Sequence, residues 1–173
     1  MRLDRTQWGN MEAKNIKFIA VHCSAGFGDV KAIQAFWKSK GWVSPGYHRL
    51  VAVDGTIHKL LDFNKVSNGV LGFNSQTLNI CYIGGVENKG TAKSPIWKAK
   101  DTRTNDQRTA LITCINEALQ WLKANGNDCS KIIIKGHRDF SPDKNGNGVV
   151  DSWERIKECP SFDAIPEYKH LLS

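Results

Sequence analysis

Apolar positions in this chain fall in short runs separated by polar, glycine-rich stretches. IKFIAVHC at 16–23 is a run of branched apolar residues and predicts a buried strand. Asp29 precedes Val30, Ile33 and Trp37 at helical spacing, which predicts a capped helix over roughly 30–40 that stops at Gly41. GYHRLVAVDGTIHKL at 46–60 reads as two strands joined by the Asp54–Gly55 turn, and LNICYIGG at 78–85 as another strand ending in a glycine pair. Residues 86–104 are polar and without period, as in a surface excursion. Thr104 and Gln107 form a capping box, after which Leu111, Ile115, Ala118, Leu119 and Leu122 line one helix face that runs to Gly126. KIIIKGH at 131–137 predicts a fourth apolar strand, and SFDAIPEYKHLL closes the chain with a short helix. The expected fold is α/β: a single domain over 16–173 with a mixed central sheet flanked by helices, preceded by a polar arm at 1–15.

Composition adds limits. The 173 residues suit one domain, and 40% hydrophobic with 24% charged residues is ordinary for a globular protein. The net charge of +7 favours an anionic partner, but the basic residues form no run and no nucleic-acid motif is present, so no nucleic acid is expected. Five cysteines, an odd number at irregular spacing, argue against a disulfide framework; Cys23, Cys81, Cys114 and Cys129 read as free thiols, with a Cys114–Cys129 bridge left open. No stretch approaches the ~20 apolar residues of a membrane span, and the first residues lack the apolar segment of a secretion signal. The expectation is a monomer made in the cytoplasm, with no export address of its own and no membrane insertion.

Candidate chemistry sits at strand ends. His22 ends the first apolar strand, His137 the last, and Cys159 follows in a loop beside Pro160. Two His and one Cys suit an open zinc site with water in the fourth position. Spacing alone supports this weakly, because HExxH and CxxC are absent, and two core histidines with a buried thiol would look the same.

The surrounding segments change that balance. VHCSAG at 21–26, KGWVSPGYHRLVAVDGTI at 40–57, GFNSQTLNICYIGG at 72–85, TNDQRTAL at 104–111, KGHRD at 135–139 and KECPSFD at 157–163 occur in this order. Together they resemble the type 2 N-acetylmuramoyl-L-alanine amidases, including short bacteriophage lysozymes that are amidases, and the related peptidoglycan-recognition proteins. The resemblance spans roughly 16–165. It implies zinc held by His22, His137 and Cys159, an active site completed by Tyr47 and Lys157, and peptidoglycan as substrate. It further implies a phage or prophage lysin that reaches the wall after release, the rival being a recognition domain that binds the wall without cutting it. Such zinc would bring the pKa of its water toward ~7. Lys157 would then stabilise the oxyanion, and Tyr47 would orient the water or relay its proton. One departure is SNGVLGFN, where Gly69 stands at a position that some phage members fill with His. His48 follows Tyr47 and is expected to face the other side with a structural role.

One motif lies outside the resemblance. DKNGNGVVDSWE at 143–154 matches a twelve-residue calcium loop: Asp143, Asn145 and Asn147 at positions 1, 3 and 5, Gly148 at 6, Val149 at 7, Asp151 at 9 and Glu154 at 12. The expectation is a structural calcium ion. The predicted strand before the loop, in place of an entering helix, argues against it.

Overall fold

The computed structural model describes residues 9–172. Its elements in chain order are β1 (Phe18–Cys23), α1 (Val30–Ser39), β2 (Arg49–Val51), β3 (Ile57–Lys59), β4 (Thr77–Tyr82), β5 (Val86–Asn88), β6 (Trp97–Ala99), α2 (Asn105–Ala124), β7 (Ile133–Gly136) and α3 (Ala164–Tyr168). Five strands form a mixed sheet in the order β3-β2-β4-β1-β7, in which all neighbours are parallel except the β2–β3 hairpin. Central β1 has a strand on each side and layers on both faces, which is why its sequence is apolar without alternation.

The two faces take alternate residues. Val21, Ile80, Tyr82 and Ile134 point into the larger core with Leu111, Ile115 and Leu122 of α2. Leu50 and Cys81 point the other way, toward Val30 and Ile33 of α1. Both helices start as their sequences predict: the Asp29 side chain accepts from the Ala32 N–H, and Thr104 and Gln107 close a reciprocal capping box.

Two sequence expectations need amending. Residues 86–104 contain the antiparallel β5–β6 hairpin, whose three-residue strands are largely exposed and so leave no apolar signature. Of the expected polar arm, residues 1–8 lie outside the described residues, while Met11 and Ala13 are buried in the core and Asn10 bridges to Lys65. All five cysteines are free thiols, which settles the Cys114–Cys129 alternative.

A buried ion-pair cluster fastens the C-terminal segment. The Arg103 guanidinium lies 3.3 Å from the Phe162 ring centroid and pairs with Asp101 and Glu167. Phe162 follows the Cys159 loop, so this clamp anchors the stretch that carries the cysteine.

Candidate functional site

The site lies beyond the carboxyl ends of the parallel strands, where open α/β sheets leave a crevice. His22 is the next-to-last residue of β1, and His137 opens a 3-10 turn directly after β7. β1 and β7 are paired in register through Val21 and Gly136, which brings the imidazoles together with ring centroids 4.8 Å apart.

Cys159 comes from a loop, and the loop is tied down at several points. The Cys23 N–H donates to Cys159 Sγ at 3.2 Å and the Arg138 N–H to the Cys159 carbonyl at 2.7 Å. The Tyr82 hydroxyl donates to the Pro160 carbonyl at 2.7 Å, and Ser161 Oγ to the Gly85 carbonyl at 2.7 Å. Gly136 admits the loop: a Cβ there would stand 2.4 Å from Pro160 Cδ.

His22, His137 and Cys159 thus offer ligand atoms that all lie within 4.8 Å of one another. His22 Nδ1 is 3.9 Å from Cys159 Sγ, close to the ~3.6 Å that tetrahedral zinc geometry requires of N and S ligands. Burial lowers the pKa of His22 to about 3, helped by the neighbouring His137. His137 falls to about 4, first through burial and then through the Lys157 charge. Both imidazoles are therefore neutral, with lone pairs available at neutral pH. Burial holds the Cys159 thiol well above its ordinary range, so a bound cation would have to displace its proton. Two neutral imidazoles and a displaceable thiol proton fit a zinc ion with one open position.

Tyr47 and Lys157 stand beside this trio. The Tyr47 ring centroid is 5.0 Å from that of His22 and 5.4 Å from that of Trp37, and burial pushes its phenol well above the usual value. Lys157 is exposed, yet near enough that its charge lowers both histidines. A cavity of about 290 Å³ runs from Tyr47 along α1, lined by Ser24, Ile33, Phe36 and Trp37.

Sequence reasoning missed Asn79. It is fully buried in an apolar strand, and its side chain accepts from His22 Nε2 at 2.8 Å. A polar residue inside an apolar run was the available signal, since buried polar groups need partners. Gly69 acquires a reason here, because a Cβ at that position would come within 2.2 Å of Asn79 Cγ.

The 143–154 loop has a different character. Glu154 is 1% exposed, and its carboxylate accepts from the backbone N–H groups of Lys144, Asn145 and Asp151. Asp143 accepts from Gly146 and Gly148, and Asn145 and Asn147 both donate to Asp151. Among the described residues, Asp143, Asp151 and Glu154 do not gather their oxygens as the His22 trio gathers its ligand atoms, and Val149 is exposed. The loop closes on its own backbone, and calcium gains no support from it.

Comparison with known proteins identifies relatives of this chain. A profile of the family described as N-acetylmuramoyl-L-alanine amidase matches residues 12–161. The endolysin of Enterobacteria phage K11 is 31% identical over 147 residues, covering 83% of this chain and 79% of that protein. The endolysin of Escherichia phage T7 is 26% identical over 163 residues, covering 92% and 88%. Among solved structures, the N-acetylmuramoyl-L-alanine amidase LysC from Clostridium intestinale shares the fold with a TM-score of 0.62 at 22% identity, covering 92% of this chain and 87% of that one. With the family profile spanning most of its length, the chain belongs to the N-acetylmuramoyl-L-alanine amidase family.

Proposed function

We propose that the protein is a zinc-dependent amidase of phage or prophage origin, acting on bacterial cell-wall peptidoglycan. The bond cut is the amide between the lactyl group of N-acetylmuramic acid and the L-alanine of the stem peptide. The observation that carries this reading is the convergence of His22, His137 and Cys159 beside a groove, in a chain of this family. Zinc held there would supply a hydroxide at neutral pH and polarise the scissile carbonyl.

The chain's own residues then have distinct parts. Lys157 places a fixed positive charge beside the histidines, where an oxyanion would develop. Tyr47, kept protonated by burial and packed against His22, would orient the attacking water or relay its proton. Phe36 and Trp37 give the groove apolar walls against which a sugar or peptide can pack. The enzyme acts on the wall once it reaches it, and among the described residues no helix is long and apolar enough to cross a membrane. Calcium has no part in this chemistry. An ion taken up by Asp143, Asn145, Asn147, Val149, Asp151 and Glu154 would be structural.

Mass spectrometry of digested peptidoglycan tests the proposal. The expected products are free stem peptides with a new N-terminal alanine and intact glycan strands. New reducing ends as the main product would mean a glycosidase. Binding without any cleavage by zinc-loaded protein would make it a recognition domain.

A further inference from the structure

The side chain of Asn79 belongs to a buried chain of hydrogen bonds that ends on His22. His22, His48, Ser67 and Asn79 are each at most 1% exposed, so bulk water does not compete for their polar atoms. At the far end, His48 Nε2 lies 2.8 Å from the Lys65 carbonyl, which can only accept. His48 therefore carries its proton on Nε2 and presents a lone pair at Nδ1. The backbone N–H of Asn79, which can only donate, reaches that Nδ1 at 3.0 Å. Two fixed backbone groups thus agree on the tautomer of His48.

The polarity carries forward from there. Ser67 Oγ is 3.2 Å from His48 Nδ1 and shares that lone pair with the Asn79 N–H as a second, longer donor, leaving its own lone pairs for Asn79 Nδ2, which donates at 2.7 Å. With Nδ2 turned to Ser67, Asn79 Oδ1 faces His22 Nε2 at 2.8 Å and accepts a hydrogen bond from its N–H. His22 then has its bare lone pair on Nδ1, the atom 3.9 Å from Cys159 Sγ. Reversing the Asn79 amide would require Ser67 to donate to Asn79 and would forfeit the Ser67–His48 bond. The bonded order is favoured by this shared buried hydrogen bond, worth at most ~1 kcal/mol.

We propose that Asn79, backed by Ser67 and His48, is a positioning residue that locks His22 in its Nε2–H tautomer and aims Nδ1 at the metal position. The proposal rests on the metal site proposed above. Partners of this kind fix ring orientation and ligand basicity in metal sites, and their loss costs about 10–100-fold in metal affinity. The absent side chain of Gly69 makes the room Asn79 needs.

The test pairs a tautomer readout with a metal readout. Nitrogen-15 NMR of the histidine rings in metal-free protein should show His22 protonated on Nε2. Zinc affinity is measured by chelator competition. Asn79→Leu should give a tautomer mixture and weaken zinc binding about 10–100-fold. Asn79→Asp, which keeps the acceptor, should restore both. Should Asn79→Leu fail to fold, Ser67→Ala breaks the next link and should shift the tautomer in the same direction. An unchanged tautomer in the variant that folds, or Asn79→Asp no better than Asn79→Leu, overturns the proposal. Wild-type protein that binds no zinc overturns the metal reading instead, while the tautomer result still decides the role of Asn79.

Discussion

The Cys23 N–H donates to the Cys159 sulfur at 3.2 Å, so the residue after one candidate ligand, His22, positions another candidate ligand from 136 residues away. A strand is stiff and a loop is not, and this bond carries the precision of β1 into the loop. The same N–H would support a thiolate once a cation displaced the thiol proton.

The direct consequence concerns metal content. Cys159→Ser and His137→Ala each leave two ligands where an open zinc site needs three. Zinc measured on purified protein should fall from one equivalent per chain to a small fraction, with hydrolysis lost in parallel. Either variant keeping full zinc would remove that residue from the ligand set.

Lys157 should separate from the ligands in experiment. It is exposed and touches the site through its charge, so Lys157→Ala should retain zinc and fold. Turnover should drop by ~100-fold or more if it stabilises the developing oxyanion. Near-normal kcat with zinc in place would assign the lysine to the surface alone.

How far the sequence reached depends on whether a feature is local. Strand β1, the Asp29 cap and the Thr104–Gln107 box are set by neighbours in the chain, and each forms as the pattern predicts. The short, exposed β5–β6 hairpin has no burial to imprint a pattern, so its sequence looks irregular. His22, His137 and Cys159 were legible through motif order, but spacing alone left them open to a reading as core residues. The Asn79 relay joins segments around 22, 48, 67 and 79 across strands, and pairing of that kind is invisible before the strands are placed.

Acid should destabilise the metal-free protein through its buried histidines. Burial lowers His48 to about 4, alongside His22 at about 3 and His137 at about 4, from an ordinary 6.5. The unfolded chain takes up these protons as pH falls through ~6.5, while the native state resists until about pH 4. Stability is therefore present above pH ~6.5 and lost progressively toward pH ~4, at up to ~1.4 kcal/mol per pH unit for each histidine. Asp139, raised by burial, contributes in the opposite sense. Urea midpoints at pH 7, 6 and 5 should fall in that order, and a flat profile would contradict neutral burial of these rings.

The last prediction concerns the loop that the sequence reads as a calcium site. Glu154 is buried and its two oxygens hold three backbone N–H groups, on Lys144, Asn145 and Asp151. The loop they close leads to Lys157 and Cys159 within five residues. Removing the acceptor frees three N–H groups, of which those on exposed Lys144 and Asn145 can turn to water while that on half-buried Asp151 is harder to satisfy, at ~1–3 kcal/mol for a donor left unsatisfied. Glu154→Ala should therefore lower stability by about 1–3 kcal/mol without calcium present, and loosen zinc binding through displacement of Cys159. Glu154→Gln, which keeps one acceptor oxygen, should cost less. Thermal unfolding with and without ~1 mM calcium, the weak end for such loops, separates the two accounts of this segment. A calcium-dependent rise in Tm that vanishes in Glu154→Gln would show that the loop takes the ion its sequence suggests. An unchanged Tm, together with a destabilised Glu154→Ala, is the outcome expected of a loop already closed by its own backbone.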